Sequence, residues 1–164
     1  MAHSLVRSLG VAIFALTAAV ACGAADGDEP QDNGIAHTDD ELTNANLLFE
    51  GTCQFLRTCS TYSQGLPVGE VMWGCEGQGD CDDDDLWIAA PRNGALGLTQ
   101  KKLCGRQVKL CKGSKCVVAK VRDKSITASK FEGSAGVLSA LGISHGVSGR
   151  CGGYGSGTVS ISLP

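Results

Sequence analysis

Nine cysteines divide into one and eight, and that partition constrains the fold more than any other feature of the chain. Cys22 closes an apolar N-terminal run. Cys53, Cys59, Cys75, Cys81, Cys104, Cys111, Cys116 and Cys151 lie in the body. An even set in a small body behind a leader reads as a disulfide framework made in an oxidising compartment. Only two His residues, His37 and His145, remain after the leader, and no Cys-x-x-Cys occurs. Zinc chemistry is therefore not expected, and neither a metal nor a cofactor is assigned.

Residues 1–21 have the parts of a secretory signal. Arg7 gives the positive end, Leu9 to Val20 form a short apolar stretch, and Ala19-Val20-Ala21 offers small residues at the cut. Ala19-Val20-Ala21-Cys22-Gly23 looks like a bacterial lipobox, which would make Cys22 the lipid-bearing residue; cleavage leaving a free thiol is the alternative. The expected location is the bacterial cell envelope or the secreted fraction. Contact with the membrane is expected only through the lipid. Residues 22–48 carry Asp26, Asp28, Glu29, Asp32, Asp39, Asp40 and Glu41 with no Lys or Arg and few apolar side chains. Such a segment cannot bury enough surface to offset its chain entropy and reads as a disordered acidic linker. The folded body is then one monomeric domain over residues 49–164.

Aromatic residues are scarce in that body and Gly is abundant, which favours a turn-rich fold stapled by bridges. Strands are expected at Val68–Trp73, Leu86–Ala90, Gln107–Cys111, Cys116–Asp123 and Thr158–Leu163. One helix is expected after Ser134, with Val137, Leu138 and Leu141 as its stripe and Gly142 as its stop. Gly113-Ser114 suits a two-residue hairpin turn that sets Cys111 opposite Cys116. At a non-hydrogen-bonded position their Cα atoms would be about 4.5 Å apart, close enough for a bridge. The pairing of the other six cysteines stays open. Alternation along the second hairpin strand places Val117, Ala119, Val121 and Asp123 on one face. Lys120 and Arg122 fall on the other.

Several segments in order resemble the double-psi β-barrel domains of the rare lipoprotein A, expansin and barwin-like superfamily. They are Gly69-Glu70-Val71-Met72-Trp73 with Cys81 and Leu86-Trp87-Ile88-Ala89-Ala90; then Asn93-Gly94 through Cys104-Gly105-Arg106-Gln107-Val108-Lys109-Leu110-Cys111. Val117 to Asp123 follows, and after it Glu132-Gly133-Ser134 running into Ala140-Leu141-Gly142. The resemblance covers about residues 67–164. It implies a mainly β, six-stranded double-psi barrel with one or two short helices and a polysaccharide groove. Carried over residue by residue, it implies Asp123 as catalytic acid and Glu132 as the second carboxylate. The chain departs from the pattern at Pro91, where transglycosylase-type members have His after Ala-Ala, and at Lys124-Ser125-Ile126, which replaces a Cys-Pro or Gly-Pro turn. Losing that His removes a proton-transfer partner.

Two functional classes follow. The first is a module that binds cell-wall polysaccharide without catalysis. The second is a lytic transglycosylase or glycosidase using Asp123 with Glu132. A scaffold or effector domain with no glycan activity is a third. Tyr62, Tyr154 and His145, in loop-like segments, are candidates to line an open groove. Trp73 and Trp87 suit core packing as well as sugar stacking. Asp80 and Asp82 to Asp85 read as a solvated loop. Ten of the 14 basic residues fall between Lys101 and Lys130, an outer basic face. Export argues against nucleic acid as its partner.

Overall fold

In the computed structural model of the chain the described residues are 41–59, 66 and 70–164. The expected signal peptide, most of the expected acidic linker, Cys22 and Tyr62 lie outside them.

Six strands close into a barrel: β1 Leu42–Gly51, β2 Trp87–Ala90, β3 Gln107–Lys112, β4 Lys115–Lys124, β5 Lys130–Ser134 and β8 Ser156–Ser162, in the order β1-β5-β2-β4-β3-β8. A two-stranded ribbon, β6 Gly146–Ser148 with β7 Gly152–Tyr154, forms a separate sheet that lies against Phe49 of β1. Two barrel pairs are parallel, β1 with β5 and β2 with β4. The mixed order requires long crossovers and matches the expected mainly β, six-stranded barrel. Among the described residues there are three short helices: α1 Cys53–Thr58, α2 Gln100–Leu103 and α3 Ala135–Ala140. Ser134 caps α3 by accepting from the Val137 amide, and Thr52 caps α1 by accepting from Phe55.

Residues 42–48 belong to the barrel and not to the linker. Leu42-Thr43-Asn44-Ala45-Asn46-Leu47 has a weak apolar signal because only one side of β1 faces the core, where Ala45 and Leu47 are buried. The residues 70–73 expected in a strand form none. Val71 instead packs into a second core, the Trp73 indole donates to the Gly79 carbonyl, and Cys75 is bridged. β5 escaped the sequence reading because Lys130-Phe131-Glu132-Gly133 offers a single large apolar residue.

The barrel is filled by Leu47, Ile88, Ala90, Val108, Leu110, Val121, Phe131 and Ile161, with α3 closing one end through Val137, Leu138 and Leu141. A second cluster lies outside the wall, where Trp87 packs with Phe55 and Leu56 of α1 and with Val71. β2 is therefore buried on both faces, Ile88 and Ala90 inward and Trp87 outward.

Four disulfides join Cys53 to Cys81, Cys59 to Cys151, Cys75 to Cys104 and Cys111 to Cys116. Such a set belongs to a protein that matures in an oxidising environment. In the hairpin, Cys111 stands opposite Cys116 with Cα atoms 4.1 Å apart, and Gly113 takes the positive φ of the turn. Cys59–Cys151 spans 92 residues and Cys111–Cys116 only five. By the chain-entropy relation, replacing the first pair with Ala lowers the unfolding free energy by about 4–5 kcal/mol, against about 2 kcal/mol for the second. Urea midpoints of the two double variants check this, and equal losses would rule out a loop-length origin. Among the described residues no helix is long and apolar enough to cross a membrane.

A carboxyl groove on the outer barrel wall

Alternation along β4 fails at Arg122. Ile88 pairs with Val121 and Ala89 with Asp123, so Arg122 is an extra residue on β4. Such a bulge re-aims the side chains that follow it. Val121 points into the barrel, while Asp123 shares the outer face of β2 with Ala89. Ala89 also pairs with Glu132 of β5. Asp123, Ala89 and Glu132 thus lie abreast on three strands, the carboxylate-bearing residues about 10 Å apart at their Cα atoms, two strand spacings. Ala89, fully buried beneath them, adds only a methyl group between the two acids.

A second irregularity brings in a third carboxyl. On β1, Phe49 pairs with Gly133 and Gly51 with Ser134, leaving Glu50 unpaired at a register shift. Its side chain turns into the same groove and is 93% removed from solvent, being 7% exposed. Nothing in the sequence reading pointed to Glu50. The available signal was a lone acid ending the run Leu47-Leu48-Phe49, just before a Gly.

The groove encloses about 400 Å³ and is lined by Glu50, Asp123, Glu132, Met72, Trp73, Gly74, Lys124 and Ile126. Met72 and Ile126 are exposed lips, Ile126 at 85%. A neighbouring cleft of about 550 Å³ shares Met72 and Trp73 with it, so the indole forms part of both walls. Asp123 is held rigidly, because its Oδ1 accepts from the Gly74 amide at 2.6 Å and from its neighbour Lys124 at 2.7 Å. Gly74 permits this approach, since a Cβ there would stand 2.5 Å from that oxygen. The Cys75–Cys104 bridge fixes the segment in place.

Burial pushes the Glu50 carboxyl well above the usual carboxylate range, and the charges of Asp123 and Glu132 and a hydrogen bond with Asp123 add to the effect. Its Oε2 has no hydrogen-bond partner among the described residues. Burial also raises Glu132; a hydrogen bond from Ser125 opposes this and the Asp123 charge adds to it. The site therefore holds a buried carboxyl whose protonated form is favoured by its surroundings, with one oxygen lacking a partner among the described residues, beside an Asp123 side chain fixed by two amides.

The other expected site residues lie elsewhere. The His145 ring stacks on Phe49 with centroids 5.2 Å apart, and its Nδ1 is 2.9 Å from the Ile143 carbonyl; it does not line the groove. Tyr154 is exposed on β7, its hydroxyl over Gly146, and is likewise outside the lining. Trp87 is wholly in the outer core, edge-on to Trp73 at 4.9 Å. Arg122, expected on an open basic face, is buried. Its guanidinium donates to the carbonyls of Gln78, Gly79 and Asp80, pairs with Asp85 and covers the Trp73 ring at 4.4 Å.

The acidic run props the same loop. Asp83 accepts from the Cys53 amide at 2.6 Å, Asp80 pairs with Arg57, and Asp85 with Arg122. Among the described residues no group of three or more His, Cys, Asp and Glu is disposed to hold a metal ion. Compared with known proteins, the chain matches no family model and no curated protein.

Proposed function

We propose that this protein is an exported envelope protein, lipid-anchored through Cys22, whose barrel binds cell-wall polysaccharide and cleaves it by acid–base chemistry. The observation carrying the reading is the buried Glu50 carboxyl at an indole-walled groove, raised by burial and by two neighbouring acids, with one buried oxygen that has no hydrogen-bond partner among the described residues. The resemblance to double-psi barrels of the rare lipoprotein A and expansin kind supports the same substrate class. Glu50 gives its proton to the glycosidic oxygen as the bond from that oxygen to the anomeric carbon breaks. Asp123, fixed by the Gly74 and Lys124 amides, faces the positive charge that develops on the sugar ring and offsets it. A water or a hydroxyl of the sugar then attacks the anomeric carbon and returns its proton to Glu50. Trp73 supplies a stacking surface, and the apolar lips Met72 and Ile126 exclude water around the ring.

A binding-only reading has one observation in its favour. The position that carries His in catalytic relatives is Pro91, and the one described histidine is packed on Phe49. Incubation of the full, oxidised chain with intact and peptide-stripped peptidoglycan, with cellulose as control, separates the readings. Soluble sugar fragments that vanish with Asp123→Asn are the expected result. Retention on the polymer without release would leave a binding module, and neither release nor retention would remove the glycan assignment.

A further inference from the structure

The hollow that holds Glu50 does not end at Trp73. Met72 and Trp73 also wall the neighbouring cleft of about 550 Å³, so the two hollows flank one indole and offer a chain of sugar rings a path past it. Their charged lining is one-sided. The groove contributes Glu50, Asp123 and Glu132, and among the described residues its one base is Lys124. The adjoining cleft contributes Glu70, Glu76 and Asp80 and no base. Asp80 pairs with Arg57, whereas Glu70, Glu76 and Glu132 belong to no ion pair among the described residues. The rest of the chain holds no basic segment to cover them, because residues 1–40, 60–65 and 67–69 contain Arg7 as their one Lys or Arg.

Two atoms of this lining lack a hydrogen-bond partner. Glu50 is 7% exposed, and its buried Oε2 has none among the described residues. In the adjoining cleft the Gln78 amide donates to the Glu76 carbonyl at 3.2 Å, while its buried Oε1 is likewise unpartnered. Both are oxygens, one on each side of the indole, and a ligand rich in donors satisfies them. A neutral polymer laid over the clefts would strip water from carboxylates without supplying a counter-charge, which is costly. A protonated amine is the opposite case, with three N–H donors, no acceptor and a positive charge. Among sugars that group is the free amine of a hexosamine without its acetyl group. The indole at the centre of the path favours such a strand over a basic peptide, because the apolar face of a sugar ring stacks on it.

We infer that the paired clefts select a glycan strand bearing free amino groups, an under-acetylated hexosamine polymer, over its neutral acetylated counterpart, with Glu70 and Glu76 as specificity-determining residues. The inference names the substrate class of the site and rests on the glycan reading above.

The test titrates the full, oxidised chain by calorimetry with a glucosamine hexamer, the N-acetylglucosamine hexamer and hexalysine, at about pH 5.5, where the sugar amines are protonated. The amine-bearing hexamer should bind about tenfold more tightly than the acetylated one, since each exposed charge pair contributes up to about fivefold. Glu70→Gln with Glu76→Gln should lower its affinity about fivefold or more and leave the acetylated hexamer within about twofold. Glu41→Gln with Asp84→Asn removes two exposed acids outside both clefts and should change neither affinity by more than about twofold. Failure of the amine hexamer to bind, equal affinity for the two sugars, hexalysine binding as tightly as the amine sugar, or equal losses in both variant pairs overturns the proposal. Cleavage of both sugar hexamers is assayed alongside. Amine preference without cleavage would end the acid–base reading and leave this inference standing. Binding and cleavage of the acetylated hexamer without amine preference would end this inference alone.

Discussion

Glu50→Gln is expected to lower release of glycan fragments by about 10²–10⁴-fold, the range typical for a positioned proton donor, while making the protein more stable at alkaline pH. Both effects come from the same buried carboxyl. The amide keeps the shape of the side chain and can still donate toward Asp123, but it has no proton to give a leaving oxygen. The stability effect follows from linkage. Burial and two neighbouring acids raise the Glu50 pKa in the folded chain above its unfolded value, so the folded state holds the proton more tightly. That contribution is complete below the unfolded pKa and is lost as pH rises through the folded one. Above it the parent must carry a buried carboxylate facing Asp123 and Glu132, and Gln does not. An advantage of about 1–3 kcal/mol at high pH is expected, the usual cost of an unsatisfied buried polar group. It should vanish near pH 4. Urea denaturation of both proteins from pH 4 to 9 measures it. Parallel curves across that range would mean that Glu50 is not perturbed, and the proton-donor assignment would fall with it.

Arg122→Met is the second large effect, with an expected loss of about 2–4 kcal/mol. The guanidinium satisfies three loop carbonyls, binds Asp85 and lies on the Trp73 face. Met can fill much of the volume but satisfies none of those acceptors, and each orphaned group costs about 1–3 kcal/mol before the loop relaxes toward water. Because Trp73 is clamped by this arginine and by its own bond to Gly79, releasing the loop should also move the indole. The expected signs are a change in tryptophan fluorescence and weakened glycan binding. Arg122→Lys should rescue little, since an ammonium cannot reach several carbonyls in one plane. Full rescue by Lys would show that charge alone holds the loop.

How far the chain could be read follows from where its strands are regular. The hairpin over 107–124 repeats with period two and turns at Gly113, so its register and facing cysteines were legible. The helix after Ser134 has a cap, a stripe and a stop within nine residues. β1 was hidden because it begins beside acidic residues and shows the core little beyond Ala45 and Leu47. The site was half legible. Asp123 and Glu132 came from family pattern, Glu50 from neither pattern nor periodicity. Arg122 was misplaced for a related reason: it is the bulge residue itself, and alternation cannot be carried through a bulge.

By itself the sequence determined an oxidising environment, a stapled β fold and a chain with separate acidic and basic stretches, because these depend on composition and on local spacing. Tertiary structure decided which acids meet. Two register shifts, at Glu50 on β1 and at Arg122 on β4, turn carboxyls from distant strands toward one outer face. That convergence depends on how strands pair across the barrel, and pairing between strands as far apart in the chain as β1 and β5, where Asn46 meets Lys130, leaves no trace in the local order of side chains.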